Sequence, residues 1–357
     1  MKKLPILALC LAFAATAADA RTLYVNASRP NNNGNGLKPS TAKKTIQAAV
    51  NIAKAGDTIL VQPGTYAPIR TNNKRITIKG VKGVSKTTIV QTAKIQRDVV
   101  FAQLGKPYDG LKAKGKNTAL TGFLLDGRNR DIGSGGTLVG ISAGTVKSCV
   151  LQRLGEKTQH AHVIAVVNAS LAGCTVKGNY GRISESTAFD RCRITGNIAH
   201  IQRNGGYYGP IDGGRLCNCL VVGNEMWGDL FSAVTLVNCT IAKNTLFHEG
   251  KTLSAFSRFY NCILWNNFRQ EPVWGENDEL LGYTKTVQNV SSGNGYSRTY
   301  KDNRDPKFTT GWKLAKGSPC INRGTLNSKL KKLVGSVDLA GAKRIHGASI
   351  DMGCYEY

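Results

Sequence analysis

Arg182, His200, Arg203 and His248 are the side chains of this sequence whose types and spacing could do chemistry together, because each falls three to six residues after an asparagine: Asn179, Asn197 or Asn244. The same offset, counted also from Asn224 and Asn267, selects Glu185, Trp227, Asp229, Glu249, Gln270 and Glu271. A histidine or arginine can take the proton beside a carboxylate while neighbouring cations neutralise that carboxylate. His200, Arg203 and His248 are the candidates for that step. Hydrolysis of a glycosidic bond needs instead two carboxylates about 5 to 9 Å apart, and Asp229 with Glu249 is the pair the spacing offers. Binding is assigned to Arg182, Trp227, Arg269, Glu271 and Trp274, and to Tyr207, Tyr208 and Asp212 of YYGPIDGG. The plainer alternative makes each histidine a solvated turn residue and YYGPIDGG a Gly-flanked loop.

Only a repeat could bring residues so far apart to one place. Cys149, Cys174, Cys192, Cys219, Cys239 and Cys262 recur at intervals of 25, 18, 27, 20 and 23 residues. Five of them are followed, five positions on, by Asn179, Asn197, Asn224, Asn244 and Asn267, whereas Cys149 is followed by Leu154. Two residues after each of those five cysteines stands Val176, Ile194, Val221, Ile241 or Leu264, on the same face of a strand as the cysteine. Short β units with polar corners at a period near 23 predict a parallel β-helix, whose coils stack about 4.8 Å apart. Equivalent side chains then form ladders. The cysteines read as inward, free thiols, and the asparagines as corner residues in the left-handed conformation, hydrogen-bonded to their neighbours above and below. By the same stacking, the residues of the first paragraph form one outward column.

A stacked coil exposes edges that invite aggregation unless covered. Ile46, Ala49, Val50 and Ala53 make an apolar stripe at helical spacing, with Gly56 behind it, and predict a covering helix over about 45–55. TILVQPGTY and RITIKGV read as the first strands, with Pro63-Gly64 as a turn. The period is lost after about residue 285, so one all-β domain of about nine or ten coils is expected over 21–300 and a second cover over 301–357.

Lys2, Lys3, the apolar run Leu4 to Ala15 and Ala18-Asp19-Ala20 have the layout of an export signal cut after Ala20. A secreted or periplasmic protein is therefore expected. No later stretch has the length and apolarity of a membrane span. Without Lys2, Lys3 and Asp19 the chain carries 46 basic and 21 acidic residues, a net charge of +25. Such a field draws polyanions, and an anionic polysaccharide is the expected partner; a surface charged for solubility is the alternative. Nucleic acid ranks last, because aromatics make up only 7% of the residues where stacking on bases would need them interleaved with cations. A monomer is expected. Residues 70–116 carry a net +10 and residues 224–282 a net −3, the acidic stretch ending in EPVWGENDE, read as a loop. HExxH, GxSxG, GxxxxGK[ST] and DxDxDG motifs are lacking, so no cofactor is predicted and calcium, although compatible, has no motif. No metal site is predicted: His160 and His162 lack a carboxylate partner, and no Cys or His pair has zinc spacing. Cys320 and Cys354, both in the tail, are the pair that could bridge.

The opening YVNASRPNNNGNG, with KKTIQAAVNIAKAGDTILVQPGTY after it, resembles the N-terminal module of secreted bacterial right-handed parallel β-helix proteins related to pectate lyases. GGRLCNCLVVGN and LVNCTIAKN are similar to the coils of that family. DPKF, GSPCINRG and DLAGAKRIHGASIDMGCYEY are similar to the C-terminal segment of choice-of-anchor Q proteins. The likeness covers nearly all of the chain after Ala20, and its motifs are scaffold positions. It implies a carbohydrate-active protein with an acidic chain laid along the outward column and a lyase mechanism using His200, Arg203 or His248. A glycoside hydrolase on the same scaffold and a non-catalytic glycan-binding or adhesive protein are the alternatives. In the tail, Asp338, Arg344, Asp351 and Glu356 match a structural ending in which the arginine pairs with nearby carboxylates.

Overall fold

The computed structural model describes residues 20–92, 98–109, 112–129, 137–156, 162–199, 209–247, 253–274, 280–287, 295–297, 304–346 and 349–357. Short apolar segments with alternating burial become parallel strands, and the polar residues between them become bends. The strands stack into four walls of a right-handed parallel β-helix. The first wall begins with Thr22–Val25, Thr58–Val61 and Thr77–Gly80 and ends with Thr235–Val237, Arg258–Tyr260 and Gly295–Ser297. The second has nine strands, from Gly64–Tyr66 to Ile263–Trp265. The third holds Ile198–Ala199, Glu225–Trp227, Thr245–Phe247 and Phe268–Trp274. The fourth runs from Ile69–Arg70 through Asp98–Gln103, Thr137–Ser142 and His162–Val167 to Phe231–Ser232 and Ser254–Ala255. Two long strands, Arg182–Asp190 and Ile211–Cys217, turn the corner from the fourth wall into the first and merge both into one sheet of 17 strands.

Register carries the sequence ladders into space. Leu120, Val146, Leu171, Phe189, Leu216, Leu236 and Phe259 lie one over another inside the first wall. Ile89, Leu125, Leu151, Val176, Ile194, Val221, Ile241 and Leu264 do the same inside the second. All are buried, each removing an apolar side chain from water at roughly 1.5–3 kcal/mol. The six repeat cysteines continue a buried stack that Phe123 begins, and all are free thiols.

Each strand of the second wall between Val150 and Trp265 is three residues long and lies between two left-handed bends. The first bend is the residue before the cysteine, among them Arg191, Asn218, Asn238 and Asn261; the second is Arg153 before Leu154 in the first of these coils and the residue before the asparagine in the others, Gly178, Gly196, Gly223, Lys243 or Asn266. The left-handed conformation expected at Asn179, Asn197, Asn224, Asn244 and Asn267 therefore belongs to their predecessors. That bend turns the asparagine amide inward. Nδ2 of Asn179, Asn197, Asn224 and Asn244 donates to Oδ1 of the next asparagine, each at 2.9 Å. The same Oδ1 accepts the previous asparagine's backbone amide, and each Nδ2 also donates to a carbonyl such as Ile194 O, at 2.9 Å from Asn224. The ladder is buried and its hydrogen bonds are satisfied.

Helix α1, Ile46–Ile52, is capped by Thr45, whose Oγ1 accepts from the Ala48 amide at 3.2 Å, and buries Ile46, Ala49 and Val50 against the first rungs of the core. At the far end, EPVWGENDE is not simply a loop. Phe268–Trp274 pairs antiparallel with Leu280–Val287, and an antiparallel strand on the last rung gives its free edge a partner.

The tail does not sit over the end of the coil. Among the described residues, 304–357 lie along the flank, across the outward faces of the first and second walls. Helix α2, Ser328–Val334, packs Leu330 and Val334 on Cys217 and Val237. Met352 joins Ile263, and Cys354 with Tyr355 joins Leu220. The asparagines of the Asn-Cys pairs hold this strap: Nδ2 of Asn218, Asn238 and Asn261 donates to the carbonyls of Val334, Asp351 and Thr325 at 2.7, 2.9 and 2.9 Å. Cys320 and Cys354 form no bridge and lie as thiols in separate apolar clusters. Burial pushes the thiols of Cys354 and Cys217 up to about 12. Arg344 is buried with Glu356 at 3.7 Å and donates to Gly353 O. Asp338 accepts the amides of Ala340, Ala342 and Glu356, and Asp351 those of Asn322 and Tyr357. The carboxylates of this motif fasten backbone.

Candidate functional site

The single outward column expected from the asparagine ruler separates into two walls. The ruler assumes equal coils, but the one leaving Asn179 reaches its next cysteine position in only 18 residues, counted from Cys174 to Cys192, and omits the third-wall strand. Tyr180 makes a lone bridge to Ile198, and Arg182 already pairs with Ile164 on the fourth wall. Trp227, at the same offset from Asn224, pairs with Phe247 and Phe247 with Gln270 on the third wall.

On the fourth wall the structure joins two of the candidates. Asp212, read from the sequence as part of a loop, lies on the strand Ile211–Cys217 one rung from Glu185. Arg182 Nη2 donates to Asp212 Oδ2 at 3.1 Å, and Nη1 to Glu185 Oε2 at 3.4 Å. Lys112, from the hairpin Lys106–Asp109/Lys112–Lys114, bonds the other oxygen of Glu185. The hairpin is anchored by Ala113 N, which donates to Ser142 Oγ at 2.8 Å, and by Asn168 Nδ2, which donates to Ala113 O at 3.2 Å. Two cations and two carboxylates thus neutralise one another beside the buried outward patch of Val99, Val139, Ile164 and Val167. Lys112 was missed because nothing in the local sequence shows that a hairpin folds back onto a wall 70 residues further on.

On the third wall Trp227 and Phe247 are half-buried, with ring centroids 6.5 Å apart and planes 29° from parallel. They form an aromatic step along the axis, of the kind that stacks on flat apolar faces. Phe247, overlooked in the sequence, was legible there as the residue three after Asn244. Arg269 pairs with Leu246, in the row of the buried Met226, and does not join the aromatic row. Asp229 is half-buried in the turn between the two walls. Extending the registers Ser184 to Ile211 and Ile211 to Phe231 back two residues sets Asp229, Gly209 and Arg182 in successive coils.

His200, Arg203, Tyr207, Tyr208, His248 and Glu249 lie outside the described residues, as does His160. Of Glu271 and Trp274 the backbone is described: they pair antiparallel with Thr284 and Leu280. Among the described residues no group of three metal-ligating side chains occurs, and the acidic pair of the fourth wall, Glu185 with Asp212, is held by Arg182. With both carboxylates already bonded to Arg182, and Glu185 also to Lys112, that pair does not suit calcium. Among the described residues no helix is long and apolar enough to cross a membrane.

No protein-family model matches the chain, and no curated protein matches its sequence. Among solved structures, the pectate lyase Pel9A is similar over 95% of this chain and 97% of its own, with a TM-score of 0.57 and 15% identity. A rhamnogalacturonan lyase covers 80% of this chain and 89% of its own, with a TM-score of 0.45 and 12% identity. The pectin methylesterase from Aspergillus niger covers 71% and 87%, with a TM-score of 0.40 and 14% identity. The first likeness shows that the fold is the parallel β-helix of a pectate lyase; at these identities none of the three speaks for a reaction.

Proposed function

We propose that the chain is an exported carbohydrate-active protein that lays an acidic polysaccharide along its outer face and cleaves it by β-elimination. One observation carries the reading: a hydrogen-bonded cluster of Lys112, Arg182, Glu185 and Asp212 stands on one wall and an aromatic step, Trp227 and Phe247, on the next, both aligned with the axis. Aromatic faces take sugar rings, and a fixed polar cluster takes hydroxyls and a carboxylate. The net charge of +25 beyond residue 20 supports an acidic ligand.

In the proposed reaction a base removes the proton from the carbon next to the uronate carboxylate. The C–H electron pair becomes a C=C bond, the glycosidic C–O bond beyond it breaks, and the leaving oxygen gains a proton. His200, Arg203 and His248 are the proposed bases. Arg182 is committed to Asp212 and Glu185 and is assigned positioning. Incubation with polyuronate and sulfated polymers tests this directly, since each cleavage creates an ultraviolet-absorbing double bond. Flat absorbance and no new reducing ends would sink the lyase reading. Mutual neutralisation of the four charged groups favours a second reading, binding without turnover, for which retained affinity with flat absorbance is the signature.

A further inference from the structure

Beyond Glu185 the chain turns the corner into the first wall, and there a groove of about 500 Å³ opens between that wall and helix α2. Its lining includes Lys116, Arg215, Arg258, Lys329, Tyr260 and Asn168, and among the described residues no carboxylate lines it. Arg215, Thr235 and Arg258 are register partners in consecutive coils, so the two arginines repeat at two rungs, about 9.6 Å along the axis. Asn168, Ser186, Arg215, Thr235 and Tyr260 come from five consecutive coils, which makes the groove about 19 Å long. The far bank is fixed, because α2 is held through Leu330 and Val334 on Cys217 and by Asn218 bonded to Val334 O. Phe256, two residues before Arg258, is 79% exposed in a left-handed conformation, φ 55°, a position where a bulky side chain is a marked outlier.

We propose that this groove is a second glycan site, distinct from the Arg182 face, which holds an acidic polysaccharide chain along the axis through Arg215, Arg258, Lys116 and Lys329. Four exposed cations without a carboxylate among them form a local field that favours an anion. Length and lining select the kind of anion. A channel spanning five coils is longer than a single phosphate or carboxylate requires, and its amides and hydroxyls suit sugar hydroxyls. Single-stranded nucleic acid would call for stacked aromatics, and among the described residues that line the groove only Tyr260 is aromatic. The proposal rests on the acidic-glycan reading above but not on turnover.

The test is calorimetric titration of the full chain with an oligogalacturonate, a sulfated oligosaccharide, a neutral oligosaccharide and a single-stranded oligonucleotide. The parent should bind one or both acidic sugars, with affinity falling as salt rises. Arg215→Gln/Arg258→Gln should weaken one binding event, that of the groove, at least tenfold and leave any event at the Arg182 face in place, and Arg215→Glu/Arg258→Glu should weaken it more. Lys331→Glu, on α2 outside the groove, should leave it unchanged. No binding by the parent, a Gln pair that keeps the parent's stoichiometry with every affinity within twofold, or tighter binding of the oligonucleotide overturns the proposal. Product absorbance measured on the same proteins separates the two readings: loss of the groove leaves cleavage to be judged by that assay, and absence of cleavage leaves the titrations standing.

Discussion

Arg182 Nη2 lies 3.1 Å from Asp212 Oδ2, thirty residues on in the chain and one coil away in space. Both side chains are largely buried, 13% and 18% exposed, so removing the cation leaves Asp212 facing Glu185 across one rung, with Lys112 bonded to Glu185 and not to Asp212 among the described contacts. Breaking such a pair costs more than the pair contributes, because an uncompensated charge remains. Arg182→Met should lose roughly 2–3 kcal/mol at pH 8 in urea unfolding. Arg182→Met/Asp212→Asn should recover part of the loss. Equal stability of parent and single variant at pH 8 would show that the cluster does not hold the corner.

Asn224 stands in the middle of the buried ladder, donating to Asn244 Oδ1 and Ile194 O and accepting from the Asn197 side chain and backbone. Asn224→Ala strands those partners in the interior, each at about 1–3 kcal/mol. A loss on the order of 4 kcal/mol is expected in denaturant unfolding. Asn266→Ala, at the half-buried bend before the last ladder residue, should lose much less, since only its left-handed backbone is at issue. Similar losses at both positions would refute the ladder account.

The ladders were legible in the sequence because they depend on local spacing alone: Cys to Asn is five residues whatever the coil length. What lies between one Asn and the next Cys varies, and there the ruler failed. The short coil that starts at Cys174 moves Arg182 to another wall than Trp227, and the left-handed bends sit one residue ahead of the asparagines assigned to them. The strap was invisible for a further reason. Its motif shows that Arg344 is buried with carboxylates, but nothing local to residues 304–357 says that Asn218, Asn238 and Asn261, up to 116 residues away, receive it.

Nine cysteines remain beyond residue 20, and all are buried thiols outside any disulfide. Burial also holds the thiols of Cys217 and Cys354 at about 12, and thiolate is the reactive form. Native protein should therefore react with an aromatic disulfide reagent at close to none of these sites, and denatured protein at all nine. Reaction of several thiols in the native state, or a count short by two after denaturation, would contradict the buried-ladder description.

Glu356 is the clearest source of a pH dependence. Burial, opposed in part by Arg344 and reinforced by Asp351, raises its carboxyl from an ordinary 4.5 to about 7. Between those values the folded chain binds more protons at this site than the unfolded chain, so stability falls as pH rises through the window. The contribution is fully present below about 4.5 and lost above about 7. Asp57 acts on the other side: burial pushes its carboxyl up, but hydrogen bonds from Arg21 and the Lys54 amide outweigh that and hold it low, so its contribution fades only in acid. Glu356→Gln should unfold like the parent at pH 5 and should not share the parent's decline, on the order of 2 kcal/mol, by pH 8. Melting curves of the two proteins that run parallel from pH 5 to 8 would place the pH dependence elsewhere.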